Sequence, residues 1–167
     1  AHGERVVETA VGFKWVADAM GEHDALIGGE ESGGFSIRGH VREKDGVLMA
    51  LLACAIEAEA SYDERIERLE AEHGGIVADK ISLDCPDAEK ERVLDDLEGV
   101  IPDEVAGVAV ERTVTVDGFK LLCADGSWLL VRPSGTEPKL RVYAEASTAA
   151  RVEAVLDAGR ELVAPLI

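Results

Sequence analysis

Phe13, Val16, Ala17 and Met20 recur at the spacing of one helix face, so residues 13–20 read as an amphipathic helix. On either side the chain alternates short β-like runs with glycine-rich breaks. Arg5-Val6-Val7-Glu8-Thr9 is β-branched and reads as a short strand. Ala25-Leu26-Ile27-Gly28-Gly29 is an apolar run closed by glycines, the pattern of a buried parallel strand entering a functional loop. Glu30 to Gly39 is rich in glycine and serine and reads as loop. Asp45 offers an N-cap to a strongly apolar helix over Val47 to Ala60. A second, charged helix runs from Ser61 to His73. Ser61 and Glu64 are spaced as a capping box, and Gly74-Gly75 ends the helix.

After Gly75 the pattern changes. Ile76 to Cys85 alternates as a strand, and Pro86 and Asp87 open a helix through Leu97. Val108 to Val116, Phe119 to Ala124, Trp128 to Val131 and Leu140 to Ala146 read as four more strands. Asp117-Gly118 and Asp125-Gly126 are hairpin signals between three of them. Thr148 to Leu162 is a closing amphipathic helix. We therefore place a boundary near Gly74 to Ala78, with an α/β unit over 1–75 and a separate α+β unit over 76–167.

Composition narrows the function classes. The 167 residues are 47% hydrophobic, enough for a packed core. No window reaches the ~18 apolar residues of a membrane helix and no signal peptide is evident, so we expect a cytoplasmic protein without a membrane partner. Cys54, Cys85 and Cys123 are spaced for neither a zinc site nor a disulfide framework, and read as reduced core thiols. The chain carries 34 acids, 17 bases and a formal charge of −17. That balance disfavours a nucleic-acid partner, because a phosphate backbone demands basic surface. Self-repulsion at this charge is relieved by salt. The acidic, Lys-poor and Ala/Val-rich composition resembles that of proteins from halophilic archaea.

Against this background, Arg132-Pro133-Ser134-Gly135-Thr136-Glu137-Pro138-Lys139-Leu140-Arg141 stands out. It holds three bases and one acid between two strands. A guanidinium, two hydroxyls and glycine-freed backbone amides form a donor set that suits phosphate. The plainer reading is a β-turn with Arg132 paired to a nearby acid. Gly28-Gly29-Glu30-Glu31-Ser32-Gly33-Gly34 is the second notable stretch. Its carboxylates and hydroxyl can hydrogen-bond the vicinal hydroxyls of a sugar, hold a divalent metal, or form an acidic solvated turn.

Taken together, the two stretches are recognisable. Gly-Glu-Glu-Ser-Gly at 29–33, followed by Arg-Pro-Ser-Gly-Thr-Glu-Pro at 132–138, resembles the α-D-phosphohexomutase family of phosphoglucomutases and phosphomannomutases. The lead-in Thr9-Ala10-Val11-Gly12-Phe13-Lys14-Trp15 and the segment Gly39-His40-Val41-Arg42-Glu43-Lys44-Asp45-Gly46 match it too. The four motifs occur in the family's order and cover most of the chain. The resemblance implies that 1–75 is the latter part of a third domain. It implies that 76–167 is a fourth, an antiparallel sheet with two helices resembling the TATA-binding-protein fold. By position, Glu30 and Ser32 would bind sugar hydroxyls. Arg132, Ser134, Gly135 and Thr136 would grip the phosphate that is not transferred, with Arg141 assisting. Lys14 matches a lysine proposed as general acid/base or electrostatic helper, and His40 would lie near the cleft. Gly34 stands where many members carry histidine, which puts a histidine role at that position in doubt.

The resemblance also says what to expect elsewhere. The reaction moves a phosphoryl group between O1 and O6 of a hexose phosphate through a bisphosphorylated sugar. The parent enzyme would be an isomerase and a phosphoprotein, using Mg2+ and a glucose 1,6-bisphosphate-type activator. The phosphoserine and magnesium loops belong to domains 1 and 2 and do not occur in these residues. We therefore expect a C-terminal fragment, inactive alone, with those two domains as its missing partners. A strand and helix would normally precede Arg5, so exposed apolar surface is expected in 1–75. The alternatives are a phosphoglucosamine mutase fragment, a non-catalytic sugar-phosphate-binding module, and a structural domain in which Arg132 and Glu30 are salt-bridged. Phosphoglucosamine mutases usually carry Gln and His where this chain has Glu31 and Gly34, which favours the glucose/mannose side.

Overall fold

The computed structural model describes residues 5–167. By compactness the chain divides into Ala1–Arg68 and Leu69–Ile167, and each unit is described by itself.

The first unit begins with helix α1 (Phe13–Glu22), which buries Phe13, Val16 and Met20, the face its spacing predicted. These side chains pack over β1 (Ile27–Gly29) at Gly28, where a Cβ would lie 2.5 Å from Met20 Sδ and 2.7 Å from Val16 Cγ1. Strand β1 pairs antiparallel with β2 (Phe35–Ile37), and Gly33, at φ +93°, supplies the left-handed step of the turn between them. Helix α2 (Gly46–Glu59) is capped as its sequence predicted: the Asp45 carboxylate accepts from the N–H groups of Val47 and Leu48 at 3.0 and 2.9 Å. Helix α3 (Tyr62–His73) begins on Ser61, whose hydroxyl accepts from the Glu64 amide at 3.2 Å.

Four expectations for this unit are corrected. Residues 5–9 form no strand, because no neighbouring strand among the described residues takes up their backbone groups. The run 25–29 is neither buried nor parallel: its only ladder among the described residues is the hairpin to β2, which leaves Leu26 and Ile27 exposed. The supposed loop over 30–39 contains β2, because the tight turn folds Phe35 back beside Gly29. Helix α2 is apolar all round yet buries none of its residues, so Cys54 is exposed rather than a core thiol. A two-stranded sheet offers too little cover for a helix of that composition.

The second unit is α+β. Its sheet runs in the order β3 (Val77–Asp84), β8 (Lys139–Ala146), β7 (Trp128–Pro133), β6 (Phe119–Cys123), β5 (Val108–Val114), β4 (Glu104–Val105), every neighbour antiparallel. Of the six, only the short β4 has no counterpart in the sequence reading. Strand β8 alternates cleanly: Leu140, Val142, Ala144 and Ala146 are buried, and Lys139, Arg141, Tyr143 and Glu145 are not. Helices α4 (Lys90–Glu98, after a 3-10 turn over Asp87–Glu89) and α5 (Ala149–Val163) contribute Val93, Leu97, Val152, Val155, Leu156 and Val163 to the same core. Thr148 caps α5 by accepting from the Arg151 amide. Cys85 and Cys123 do lie in this core, where burial pushes both thiols up.

Helix α5 lies so close to the sheet that Gly159 touches it directly. A Cβ at Gly159 would sit 2.6 Å from both Leu129 Cδ1 and Val142 Cγ1, two residues with no exposed surface. Alanine there gains about 1 kcal/mol of helix propensity but incurs about 1–3 kcal/mol of overpacking. The sheet cannot recoil cheaply, so Gly159→Ala is expected to lower the melting midpoint by several degrees. Thermal unfolding followed by circular dichroism measures this directly. An unchanged or higher midpoint would show that the α5–sheet contact yields.

Candidate functional site

The cationic loop joins β7 to β8. Arg132, next to last in β7, lies directly across from Arg141 on β8. Two guanidiniums in that position repel unless acids or an anion join them. In this structure acids do so. Arg132 Nη1 donates to Asp117 Oδ2 at 2.9 Å, and Arg141 Nη2 donates to Glu137 Oε2 at 2.5 Å. The Arg141 guanidinium holds the Glu137 carboxyl below the usual carboxylate range. The Arg132 side chain is only 16% exposed, and its buried Nε has no hydrogen-bond partner. A buried cationic N–H left unsatisfied is costly, and a phosphate oxygen would satisfy it.

Ser134 is buried, 4% exposed, and its hydroxyl faces into the loop. It accepts from the Glu137 amide at 3.2 Å and, at 3.5 Å, from the Thr136 amide. That geometry makes it the shaper of the turn. Gly135 is exposed and a Cβ on it would meet nothing within 4 Å. Its φ is not among the left-handed ones, so the glycine serves open access at this position and not backbone strain. Thr136 is exposed beside it.

Two residues that hold this loop escape a reading of the sequence. Asp117 reads there only as a hairpin signal, yet its carboxylate anchors Arg132. Lys90, at the start of α4, donates to the carbonyls of Ser134 and Glu137 at 2.6 and 2.7 Å. A contact across that much chain leaves no local signal.

In the first unit, Glu30 sits at the head of the β1–β2 turn, where its backbone N–H donates to Gly34 and its carbonyl accepts from Gly33. Its side chain is 16% exposed. Oε1 accepts from the Gly12 amide at 3.1 Å, and Oε2 lies 3.9 Å from Lys44 Nζ. Three of the sequence motifs therefore meet at one carboxylate. Gly34 permits the meeting, because a Cβ there would lie 2.7 Å from Lys44 Cδ and 2.8 Å from Glu30 Oε2. Ser32 is exposed in the turn. Lys14 is exposed on α1, its ammonium 4.5 Å from the centre of the Trp15 ring. His40 Nε2 meets Asp45 Oδ2 at 2.8 Å, which ties the imidazole to the cap of α2. The Leu48 amide, and then His40, hold the Asp45 carboxyl below its ordinary value.

Among the described residues, no three His, Cys, Asp or Glu side chains gather into a group that could hold a metal ion. No helix among them is long and apolar enough to cross a membrane.

Sequence comparison carries the decisive observation. The family description "phosphoglucomutase/phosphomannomutase, alpha/beta/alpha domain III" matches residues 1–73, and that of the same family's C-terminal domain matches residues 81–162. The chain belongs to the phosphoglucomutase/phosphomannomutase family. It is 32% identical to a phosphoglucomutase of Komagataeibacter xylinus, across 98% of this chain and 32% of that one. It is 33% identical to a phosphoglucosamine mutase of Methanococcus aeolicus, across 95% of this chain and 34% of that one. A crystal structure of a family member from Thermus thermophilus superposes with a TM-score of 0.73 at 31% identity, over 98% of this chain and 32% of that one. One from Burkholderia thailandensis superposes at 0.74 with 20% identity, over 95% of this chain and 32% of that one, and supports the fold alone. The chain thus spans about a third of the length of the relatives it matches. Family membership accounts for why the most basic loop on an acidic chain and its glycine-rich acidic turn each carry a recognisable motif.

Proposed function

We propose that this chain supplies the sugar-gripping turn and the phosphate-gripping loop of a phosphohexomutase. The enzyme would move a phosphoryl group between O1 and O6 of a hexose phosphate through a bisphosphorylated sugar. We take residues 1–75 as the latter part of the third domain and 76–167 as the fourth. In this reading the phosphate that is not transferred binds at the β7–β8 loop, against Arg132, Gly135, Thr136 and Arg141, on a frame set by Ser134. A fixed grip on one end of the substrate lets either end meet the same phosphoryl donor, so the energy of binding is spent on orientation. Glu30, held by Gly12 and Lys44, and Ser32 contact sugar hydroxyls, while Lys14 and His40 assist near the reacting oxygens. The phosphoserine, Mg2+ and the bisphosphate activator belong to domains 1 and 2 of the parent, an isomerase of the cytoplasm.

The observation that carries the reading is the unsatisfied, buried Nε of Arg132 in a loop of the family's motif. A glucose or mannose phosphate is favoured over glucosamine phosphate by Glu31 and Gly34, where phosphoglucosamine mutases usually carry Gln and His.

Titration of the 167-residue protein with inorganic phosphate at fixed 1 M ionic strength, followed by amide NMR, tests this. We expect saturable shifts confined to residues 132–141. Shifts that scatter over the surface, or none, would remove the phosphate-grip reading.

A further inference from the structure

We infer that Lys90 is the positioning residue of the anion loop, and that it acts by turning the loop's carbonyls away from the ligand. The inference rests on the phosphate-grip reading above. An ammonium group has three donors. Those of Lys90 have three acceptors in reach: Ser134 O at 2.6 Å, Glu137 O at 2.7 Å and Asp87 Oδ1 at 2.5 Å. Its side chain is only 13% exposed. The neighbouring carbonyl of Pro138 is engaged separately, accepting from the Cys85 amide at 2.9 Å.

The consequence for an anion follows from peptide geometry. In a planar trans peptide, a carbonyl and the next residue's N–H point in opposite directions. With Ser134 O held by Lys90, the Gly135 N–H must face the other way, in a loop that a Cβ at Gly135 would not crowd. Lys90 therefore clears the carbonyl dipole of Ser134 from the anion's side, holds that of Glu137 together with the Lys139 amide, and presents an amide to the anion. It does so without touching the anion, since its donors are engaged. No local pattern flags it, because the contact crosses from the N-terminus of α4 to a loop 44 positions later.

Lys90→Met, Lys90→Arg and Asp87→Asn, each titrated with inorganic phosphate in 1 M KCl, test the idea. At that salt, screening within ~3 Å suppresses a simple change of net charge. Lys90→Met is expected to raise the phosphate Kd at least tenfold and to abolish the phosphate-induced shift of the Gly135 amide. Amides of β8 and α5 should stay in place. Lys90→Arg, which keeps donors for the carbonyls, should recover most of the affinity, and Asp87→Asn should give an intermediate loss. A merely structural lysine would lower the melting midpoint and leave the Gly135 shift and the Kd as in the wild type. That outcome overturns the inference. If Lys90→Met does not fold, the other two variants decide it, and wild-type affinity in both overturns it. Failure of the underlying reading is distinguishable, because it appears as absence of loop shifts in the wild type, and the inference then falls with it.

Discussion

Arg132→Ala is expected to weaken phosphate binding by roughly 10- to 100-fold, the loss of one or two charge-assisted hydrogen bonds at about 1.5–3 kcal/mol in total. The side chain leaves β7 on the face opposite the helices, and its strand neighbours Leu129 and Val131 carry the packing. The variant should therefore fold, with Asp117 released to solvent at the turn. Arg132→Lys separates charge from geometry. An ammonium keeps the charge but lacks the fork that places Nη1 on Asp117 while leaving Nε a free donor. It should recover only a small part of the affinity. The measurement is the inorganic phosphate titration of each variant beside the wild type, with a thermal melt of each. Wild-type affinity in Arg132→Ala would mean that the loop is a turn and nothing more.

The second large effect is expected at Gly118, which lies outside the four family motifs yet is decisive for the second unit. Gly118 closes the β5–β6 hairpin at φ +90°, a conformation that L side chains adopt at a cost. A Cβ there would also run into the carbonyl oxygen of Val131 and lie 2.8 Å from Arg132 Cβ. Neither neighbour is the far end of a flexible side chain: one is sheet backbone and the other is the root of Arg132. Backbone strain of about 1–3 kcal/mol and overpacking of about 1–3 kcal/mol add, because they arise from different coordinates. Gly118→Ala should therefore lose about 2–6 kcal/mol and lower the midpoint of the second unit by roughly 10–25 °C. It should also displace Arg132 and weaken phosphate binding in whatever fraction remains folded. Denaturant and thermal unfolding measure the first effect, and the titration measures the second. A loss of less than about 1 kcal/mol would mean that the hairpin can re-form in another turn type.

These two positions also show how legible the sequence was. Asp117-Gly118 was readable as a turn because Gly supplies a positive φ and Asp a local acceptor, both properties of single residues. That the same turn clamps Arg132 was not readable. It depends on β6 lying beside β7, a pairing made through long-range backbone hydrogen bonds. The second unit was legible nearly strand for strand because its burial alternates with period two, as β8 does. Glu104–Val105 is invisible to such reasoning because of its length, since two residues hold no period. The first unit was less legible. Its α2 helix and the run 25–29 are apolar enough to be buried, and sequence reasoning assigns apolar runs to cores. Burial needs a neighbour, and the described residues of the unit offer only a two-stranded sheet and two other helices.

The amino-acid sequence by itself determined the family, the order of the two units, the caps at Asp45 and Ser61, and which loop is cationic. All of these are written in residue types at short spacing, where one side chain meets backbone a few positions away. The tertiary structure alone decided that Arg132 is anchored by Asp117, that Glu30 gathers Gly12 and Lys44, and that Lys90 holds the loop from behind. Each of those contacts joins residues far apart along the chain. Their partners are chosen by how strands and helices pack, and no local pattern records the choice.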